Sequence, residues 1–414
     1  MNKYFFLSLI FLLNFFSASA HEFKDPGQEE VDDIDIGLIT VYPRFNEVYT
    51  VYGHTAIRVK QASQQVDMVF NYGTFDFNKP NFIFLFLRGH TDYFLSASSF
   101  QAFEHAYMSE GAVVEEQILR LSELAKKELF DFLLNTLEPQ NREYRYNFLF
   151  DNCTTRPRDL IERYAYDLQY AQDIAYERNS STEGKTFRQL IHECTDNFPW
   201  MTFGIDLIIG KGADSIIDLR QQMFLPLYLM NGLNEASVLD DSLGRLPLVL
   251  ASQTIIPASM QEVEVDAGWL KSSPMRLGII LLIHSLVFVV CGLVWKKKFR
   301  FFFSLLFLEA ALAGCILAFI SLASEHPCVS PNLNLLWLHP IHFIAVVGYF
   351  QKKTNRLVLW FHSTNLVLLC LILVSWSILP QELNPASAPY ILCLCLGSAY
   401  FIKNNYKNTV KKGI

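Results

Sequence analysis

Hydrophobic and polar positions divide the chain near residue 275. Before that point apolar residues come in short runs and alternations. After it they come in blocks with very few charges. In the first half, alternation over 34–42, 48–60 and 65–72 predicts strands, with a further apolar stretch at 83–87. Asn71-Tyr72-Gly73 and Pro80 punctuate them. Helical patterning follows at 99–108 and 122–137. The second helix opens on Ser122, a hydroxyl N-cap, and turns Leu124, Leu129, Phe132 and Leu133 towards one face. Residues 113–121 read as a strand between them. A helix starting near Asn152 and running through Arg163 would hold Cys153 in its first turn. Residues 236–275 are mixed and Pro/Ser-containing and read as a tether.

The later blocks are 277–295, 301–323, 333–350, 357–379 and 388–402. Each approaches the roughly 20 residues that cross about 30 Å of hydrocarbon, the last being the shortest. Basic residues sort the connections. Residues 296–300 hold four Lys or Arg, 351–356 hold three, and the tail from Lys403 holds four, whereas 324–332 and 380–387 hold none. Basic loops stay in the cytoplasm. The pattern predicts five spans, an exported N-terminal half and a cytoplasmic tail. At the start, Lys3, the apolar stretch from Phe5 to Phe16 and Ala18-Ser19-Ala20 read as a secretory signal; an uncleaved anchor is the alternative. The expected organisation is a signal at 1–20, an exported domain at 21–235 opening on an acidic arm (21–34), the tether, a membrane domain at 276–403 and a tail at 404–414.

Composition agrees. Of 414 residues, 51% are hydrophobic and 18% charged, apolar for a soluble protein and ordinary for a half-embedded one. The net charge of −7 gives no reason to expect a nucleic-acid partner.

Chemistry concentrates in two segments, Val51-Tyr-Gly-His54-Thr and Tyr146-Asn-Phe-Leu-Phe-Asp-Asn-Cys153-Thr-Thr-Arg-Pro-Arg158. A thiol needs a nearby base to be largely thiolate at neutral pH, and a helix start lowers its pKa further. Cys153 is read as the nucleophile and His54 as its base. The alternatives are a Cys153–Cys194 disulfide or an inert thiol, and for His54 an ordinary strand position. Asn71 on the next strand is the candidate that orients the imidazole, with Asp67 second. Asn152, or backbone N–H groups at the helix start, would serve an oxyanion. Tyr146 and Tyr52 either line a pocket or pack. Arg156 and Arg158 either hold a phosphate or pair with Asp159 and Glu162. Glu325 and His326, with Asn332 and Asn334, fall on the exported side and either bind a lipid headgroup or are plain loop residues. Glu309 lies inside a span, either as a functional group or paired to a neighbouring helix. No metal set is expected, since His339-Pro-Ile-His342 has no acidic partner nearby, and no cofactor motif is present. The order strand with histidine, strand, helices, then helix with cysteine is that of an α+β papain-like core, circularly permuted.

Tyr49–Arg58, Phe70–Phe77, Tyr146–Asp159 and Trp200-Met-Thr-Phe-Gly-Ile-Asp206, with the C-terminal spans, resemble the Lnb family of bacterial envelope proteins. The resemblance implies a lipoprotein N-acyltransferase in the inner membrane with its catalytic domain in the periplasm. It implies a permuted papain-like fold akin to the NlpC/P60 and lecithin–retinol acyltransferase groups, and it carries over His54 and Cys153. A phospholipid would donate the acyl chain and a diacylated lipoprotein would accept it. The rival readings are a membrane-anchored cysteine hydrolase with the same dyad, acting as a phospholipase or cell-wall peptidase, and a non-catalytic lipoprotein-binding protein.

Overall fold

The structure, a computed structural model, describes residues 33–44, 50–76, 78, 80–171, 184–240, 242–258, 273–295, 299–350 and 356–410, with side chains to 405. The expected signal, most of the acidic arm, the loops at 296–298 and 351–355 and the end of the tail lie outside the described residues.

The chain begins with β1 (Ile34–Val41), β2 (His54–Gln61) and β3 (Val66–Thr74), followed by α1 (Phe82–Leu87), β4 (Asp92–Ser99), α2 (Phe100–Ser109), β5 (Val114–Leu119), α3 (Glu123–Leu137) and β6 (Glu143–Arg145). Next come α4 (Thr155–Tyr164), α5 (Phe187–Thr195), α6 (Pro199–Ile208), α7 (Leu219–Gln222), α8 (Pro226–Asn234), β7 (Ser237–Asp240), β8 (Gly244–Pro247) and β9 (Val249–Ile256). Seven strands form one antiparallel sheet in the order β6-β4-β3-β2-β1-β5-β9, and β7 pairs with β8 separately. The central strands are apolar on both faces because both are covered. Ile36, Leu38, Ile57, Val59, Phe70 and Tyr72 meet α3, α4 and α8 through Leu129, Ile161 and Leu229. On the other face Ile39, Val41, Ala56 and Val69 meet Phe103 of α2.

Three expectations need correcting here. Residues 83–87 are not a strand. Phe82–Leu87 is apolar throughout, so periodicity cannot choose its state, and the segment coils as α1 with Phe84 stacked on Phe319 of the membrane half (5.8 Å). The segment read as a tether carries β7, β8 and β9. Strand β9 closes the sheet by pairing with β5, where the Gln253 side chain donates to Glu116 Oε2 at 2.7 Å. The helix expected from Asn152 begins at Thr155, which leaves Cys153 in the turn before it.

The second half contains α9 (Pro274–Val294), α10 (Arg300–Ala323), α11 (Phe343–Phe350), α12 (Arg356–Val374) and α13 (Ser387–Val410). By length and composition, Pro274–Val294, Arg300–Ala323, Leu333–Phe350 and Arg356–Val374 are apolar enough to cross a membrane. The third is not one continuous helix as expected. Short 3-10 turns at Leu333–Leu336 and Pro340–His342 precede α11, because Pro340 has no N–H to donate and disfavours helical backbone in the residue before it. The fourth helix ends at Val374 rather than 379. The short fifth block belongs to α13, a 24-residue helix that packs on α9 and α12. Phe303, Phe307, Tyr349, Leu369 and Phe401 form the bundle core.

A buried polar seam joins the halves. Asp206 of α6 is 2% exposed and accepts from Arg188 Nη1 at 2.6 Å, from Asn384 Nδ2 at 2.8 Å and from the His192 ring at 2.9 Å. Arg188, fully buried, also bonds Asp214 at 2.6 Å. From the membrane half Asn332 Nδ2 donates to Leu207 O, Asn334 Nδ2 to Asp206 O, and Gln381 Nε2 to Ile209 O. Asn332, Gln381 and Asn384 come from the two connections that carry no basic residues, and Asn334 from the turn that follows the first of them. Both connections therefore lie on the side of the N-terminal domain.

Candidate active site

The turn before α4 is built by asparagines. Asn147 Oδ1 accepts from Leu149 N and Phe150 N at 3.1 and 3.0 Å. Asn152 Oδ1 accepts from Thr154 N and Thr155 N at 2.7 and 2.9 Å, and its Nδ2 donates to Phe148 O and Phe224 O at 2.9 and 3.0 Å. Both amide hydrogens of Asn152 are thus used in holding the turn, and its side chain has none left for an oxyanion. The Thr55 and Thr154 hydroxyls, 3.3 Å apart, tie the turn to β2. Cys153 is a partly buried free thiol between these anchors. Cys194 is also free, packed with Tyr52 and Phe148 in a separate cluster, and burial pushes its thiol up to about 11.

His54 opens β2, and its Nε2 lies 3.2 Å from Asn71 Oδ1. An amide oxygen only accepts, so the ring proton sits on Nε2 and Nδ1 is left for the sulfur. Burial opposes charge on both His54 and Cys153. The hydrogen-bonded contact between them outweighs it, holding the thiol below its ordinary value and the imidazole above its own. The expected result is rapid alkylation of Cys153 by iodoacetamide at neutral pH. In His54→Ala burial is opposed only by the hydrogen bonds from Thr154 and Thr55, and the reactivity midpoint should rise above the roughly 8.5 of a free cysteine. An unchanged pH profile in that variant would show that the pair does not interact.

Asp67, the second candidate beside His54, is spoken for. Arg58 Nε and Nη2 each reach its carboxylate at 2.7 Å, while Arg58 Nη1 reaches Glu116 at 2.9 Å. Gly73 was read from sequence only as punctuation, yet it lets the thiol approach the sheet. Its φ is +89°, and a Cβ there would sit 3.1 Å from Cys153 Cβ. A glycine inside a strand is the usual mark of such a close approach. Gly73→Ala is expected to cost about 1–3 kcal/mol in thermal unfolding and to slow Cys153 alkylation, since neither backbone can rotate away. Wild-type stability in that variant would mean the approach is looser.

Around the sulfur stand phenols. Tyr146 stacks on Tyr93 with centroids 4.0 Å apart, and burial, aided by Cys153, keeps both protonated, Tyr93 near 12. Tyr146 therefore lies beside Cys153, whereas Tyr52 packs near Cys194. Beyond His54 and Asn71 a cleft of about 370 Å³ opens past Gly73, Thr74, Ser96 and Ser98 to Tyr107.

Residues 22–193 match the Lnb N-terminal periplasmic domain, and residues 266–409 match the Lnb transmembrane domain. The chain belongs to the Lnb family. In outline it is a lipoprotein-modifying membrane enzyme, with a periplasmic N-terminal domain and a C-terminal transmembrane domain that fit a multi-pass inner-membrane protein. No curated protein and no solved structure matches it.

The remaining candidates of this Lnb chain are engaged elsewhere. Arg156 pairs bidentately with Asp151 (2.5 and 2.9 Å) and lies 3.5 Å over the Tyr144 ring. Arg158, 5% exposed, bonds Asp159 Oδ1 and Arg220 O. Both guanidiniums are thus held by protein partners. Glu325 and His326 take part in the junction of the two domains. Glu325 N donates to Arg88 O and its carboxylate meets His90 at 3.0 Å, while His326 Nε2 lies 2.5 Å from Phe86 O. Glu309 is exposed on α10, near Tyr390.

Proposed function

We propose that this protein is a lipoprotein N-acyltransferase that works through an acyl thioester on Cys153. The single observation that carries the reading is the partly buried Cys153–His54–Asn71 arrangement, in which Cys153 and His54 each set the other's protonation and Asn71 holds the ring, in a periplasmic domain joined to a membrane bundle. A histidine on a strand that precedes a cysteine at a helix start supports a circularly permuted papain-like core. The two non-basic connections bonded to the periplasmic domain, and the packing of α13 on α9 and α12, support five spans and a cytoplasmic C-terminus.

The chemistry runs in two displacements. The Cys153 thiolate attacks an ester carbonyl of a phospholipid. The C–S bond forms, the ester C–O bond breaks, and the His54 imidazolium gives its proton to the departing lysophospholipid oxygen. The α-amine of a diacylated lipoprotein then attacks the thioester carbonyl. The C–N bond forms, the C–S bond breaks, and His54 takes the amine proton, which restores the thiolate–imidazolium pair. Asn71 holds the ring so that Nδ1 faces the sulfur. With the Asn152 side chain committed, backbone N–H groups at the start of α4 are the donors for the tetrahedral oxyanion. The cleft past Thr74, Ser96 and Ser98 gives the amine a polar approach on the His54 side.

Mass spectrometry of lipoprotein N-termini from cells with and without the gene tests the reading. Loss of one amide-linked acyl chain without the gene is expected. Unchanged lipoproteins, with lysophospholipid or cleaved peptide as the gene-dependent product, would favour the hydrolase.

A further inference from the structure

Helix α1 is six residues of Phe, Ile and Leu, Phe82 to Leu87, and none of them is buried. Ile83 is 74%, Phe84 50% and Phe86 40% exposed. A helix with no polar side chain is costly to leave in water. Its position removes the difficulty. Phe84 stacks on Phe319, which lies one turn from the Ala323 end of α10. The chain after α1 is fastened to the loop beyond that end through Arg88 O to Glu325 N at 2.9 Å and through the His90–Glu325 contact. The helix therefore sits at the depth where a span leaves the hydrocarbon, continuous with the interface between the domains.

From α1 an aromatic strip leads inward. Phe82 stacks on Phe75 (5.7 Å), Phe75 meets Tyr93 (5.0 Å), and Tyr93 stacks on Tyr146 (4.0 Å). Both tyrosines feel the charge of Cys153. On the flank Phe86 and Phe148 both contact the His326 ring, at 5.4 and 5.6 Å, and Phe148 lies five residues before Cys153. None of the residues of this strip lines the polar cleft past His54.

We infer that α1 dips into the outer leaflet and that the strip from Phe82 through Phe75 and Tyr93 to Tyr146 receives one acyl chain of a membrane phospholipid and leads its ester to Cys153. This rests on the thioester chemistry proposed above and assigns the site its lipid entrance. Aromatic side chains along the whole path suit a hydrocarbon tail and carry no charge to pair with a headgroup.

The test uses full-length protein in phosphatidylethanolamine–phosphatidylglycerol vesicles, where no lipoprotein is present. A photoreactive phenylalanine replacing Ile83 should crosslink phospholipid, and the same group replacing Met108, exposed at the end of α2, should not. Ile83→Asp should slow acylation of Cys153 from the vesicles about ten-fold or more, while iodoacetamide still alkylates Cys153 at the wild-type rate. Crosslinking without slowed acylation would reduce α1 to a surface contact and overturn the route; slowed acylation without crosslinking at Ile83 would overturn it as well. If alkylation also falls, Ile83→Ser replaces Ile83→Asp and the same two readouts apply. Wild-type protein whose Cys153 never gains an acyl group, with lipid still captured at Ile83, would refute the thioester chemistry and leave the lipid contact standing.

Discussion

Cys153→Ser and His54→Ala are each expected to abolish N-acylation of lipoproteins while the protein still accumulates in the membrane. The loss should be about a thousand-fold or more, because nucleophile and base act as one unit and removing either stops the first displacement. Neither side chain supports the fold. Cys153 is held by the hydrogen bonds of Asn152 around it, and His54 sits at the open end of β2 with Asn71 as a side-chain partner besides the thiol. Asn71→Ala should be milder. It frees the ring to rotate, so activity should fall with little change in thiol reactivity measured at saturating alkylating agent. Full activity in either Cys153→Ser or His54→Ala would reject the dyad.

The second large effect concerns the seam between the domains. Arg188→Met leaves Asp206 and Asp214 facing each other without their cation in a site where Arg188 is fully buried. Removing one partner of such a cluster costs about 3–5 kcal/mol. Denaturation of the detergent-solubilised full chain should show that loss, and proteolysis should begin to separate the periplasmic domain from the bundle. An unchanged transition would mean the seam does not hold the halves together. The seam also has a pH window. Hydrogen bonding to Asp206 raises the His192 pKa, so its contribution is complete below the unfolded value of about 6.5 and is lost as pH rises through the raised folded value. Burial works against the Asp206 carboxylate, but His192, Asn384 and Arg188 together hold it below its ordinary value. Its contribution is therefore complete above about 3.9 and is lost as pH falls through the depressed folded value. Stability of the junction should peak in mildly acidic solution; His192→Gln should remove the alkaline loss and, because His192 helps to hold the Asp206 carboxylate low, also move the acid loss to higher pH.

The strands carrying His54 and Asn71 were legible because alternation and turn residues bound them, and adjacency in an antiparallel meander then places Asn71 near the imidazole. The bundle was legible from block length and loop charge. What escaped reading depends on partners remote in the chain. Phe82–Leu87 has no period, and only the neighbouring span decides that it coils. Strand β9 looked like a tether because its exposed face is ordinary polar surface and its partner β5 lies some 130 residues earlier. Arg156 and Arg158 looked like anion binders because charge alone does not reveal that Asp151, Tyr144 and the Arg220 carbonyl are waiting for them. Asp206 stood out only as the end of the Trp200–Asp206 segment that resembles the Lnb family. Its role needed the folded chain, which brings Arg188, His192 and Asn384 to one carboxylate.

The most direct measurement is the intact mass of the purified protein after incubation with phospholipid vesicles in the absence of acceptor. A hydroxylamine-labile gain of one fatty acyl group, mapped to Cys153 and missing from Cys153→Ser, is the expected result. An unmodified wild-type Cys153, or lysophospholipid released at the wild-type rate by Cys153→Ser, would contradict it.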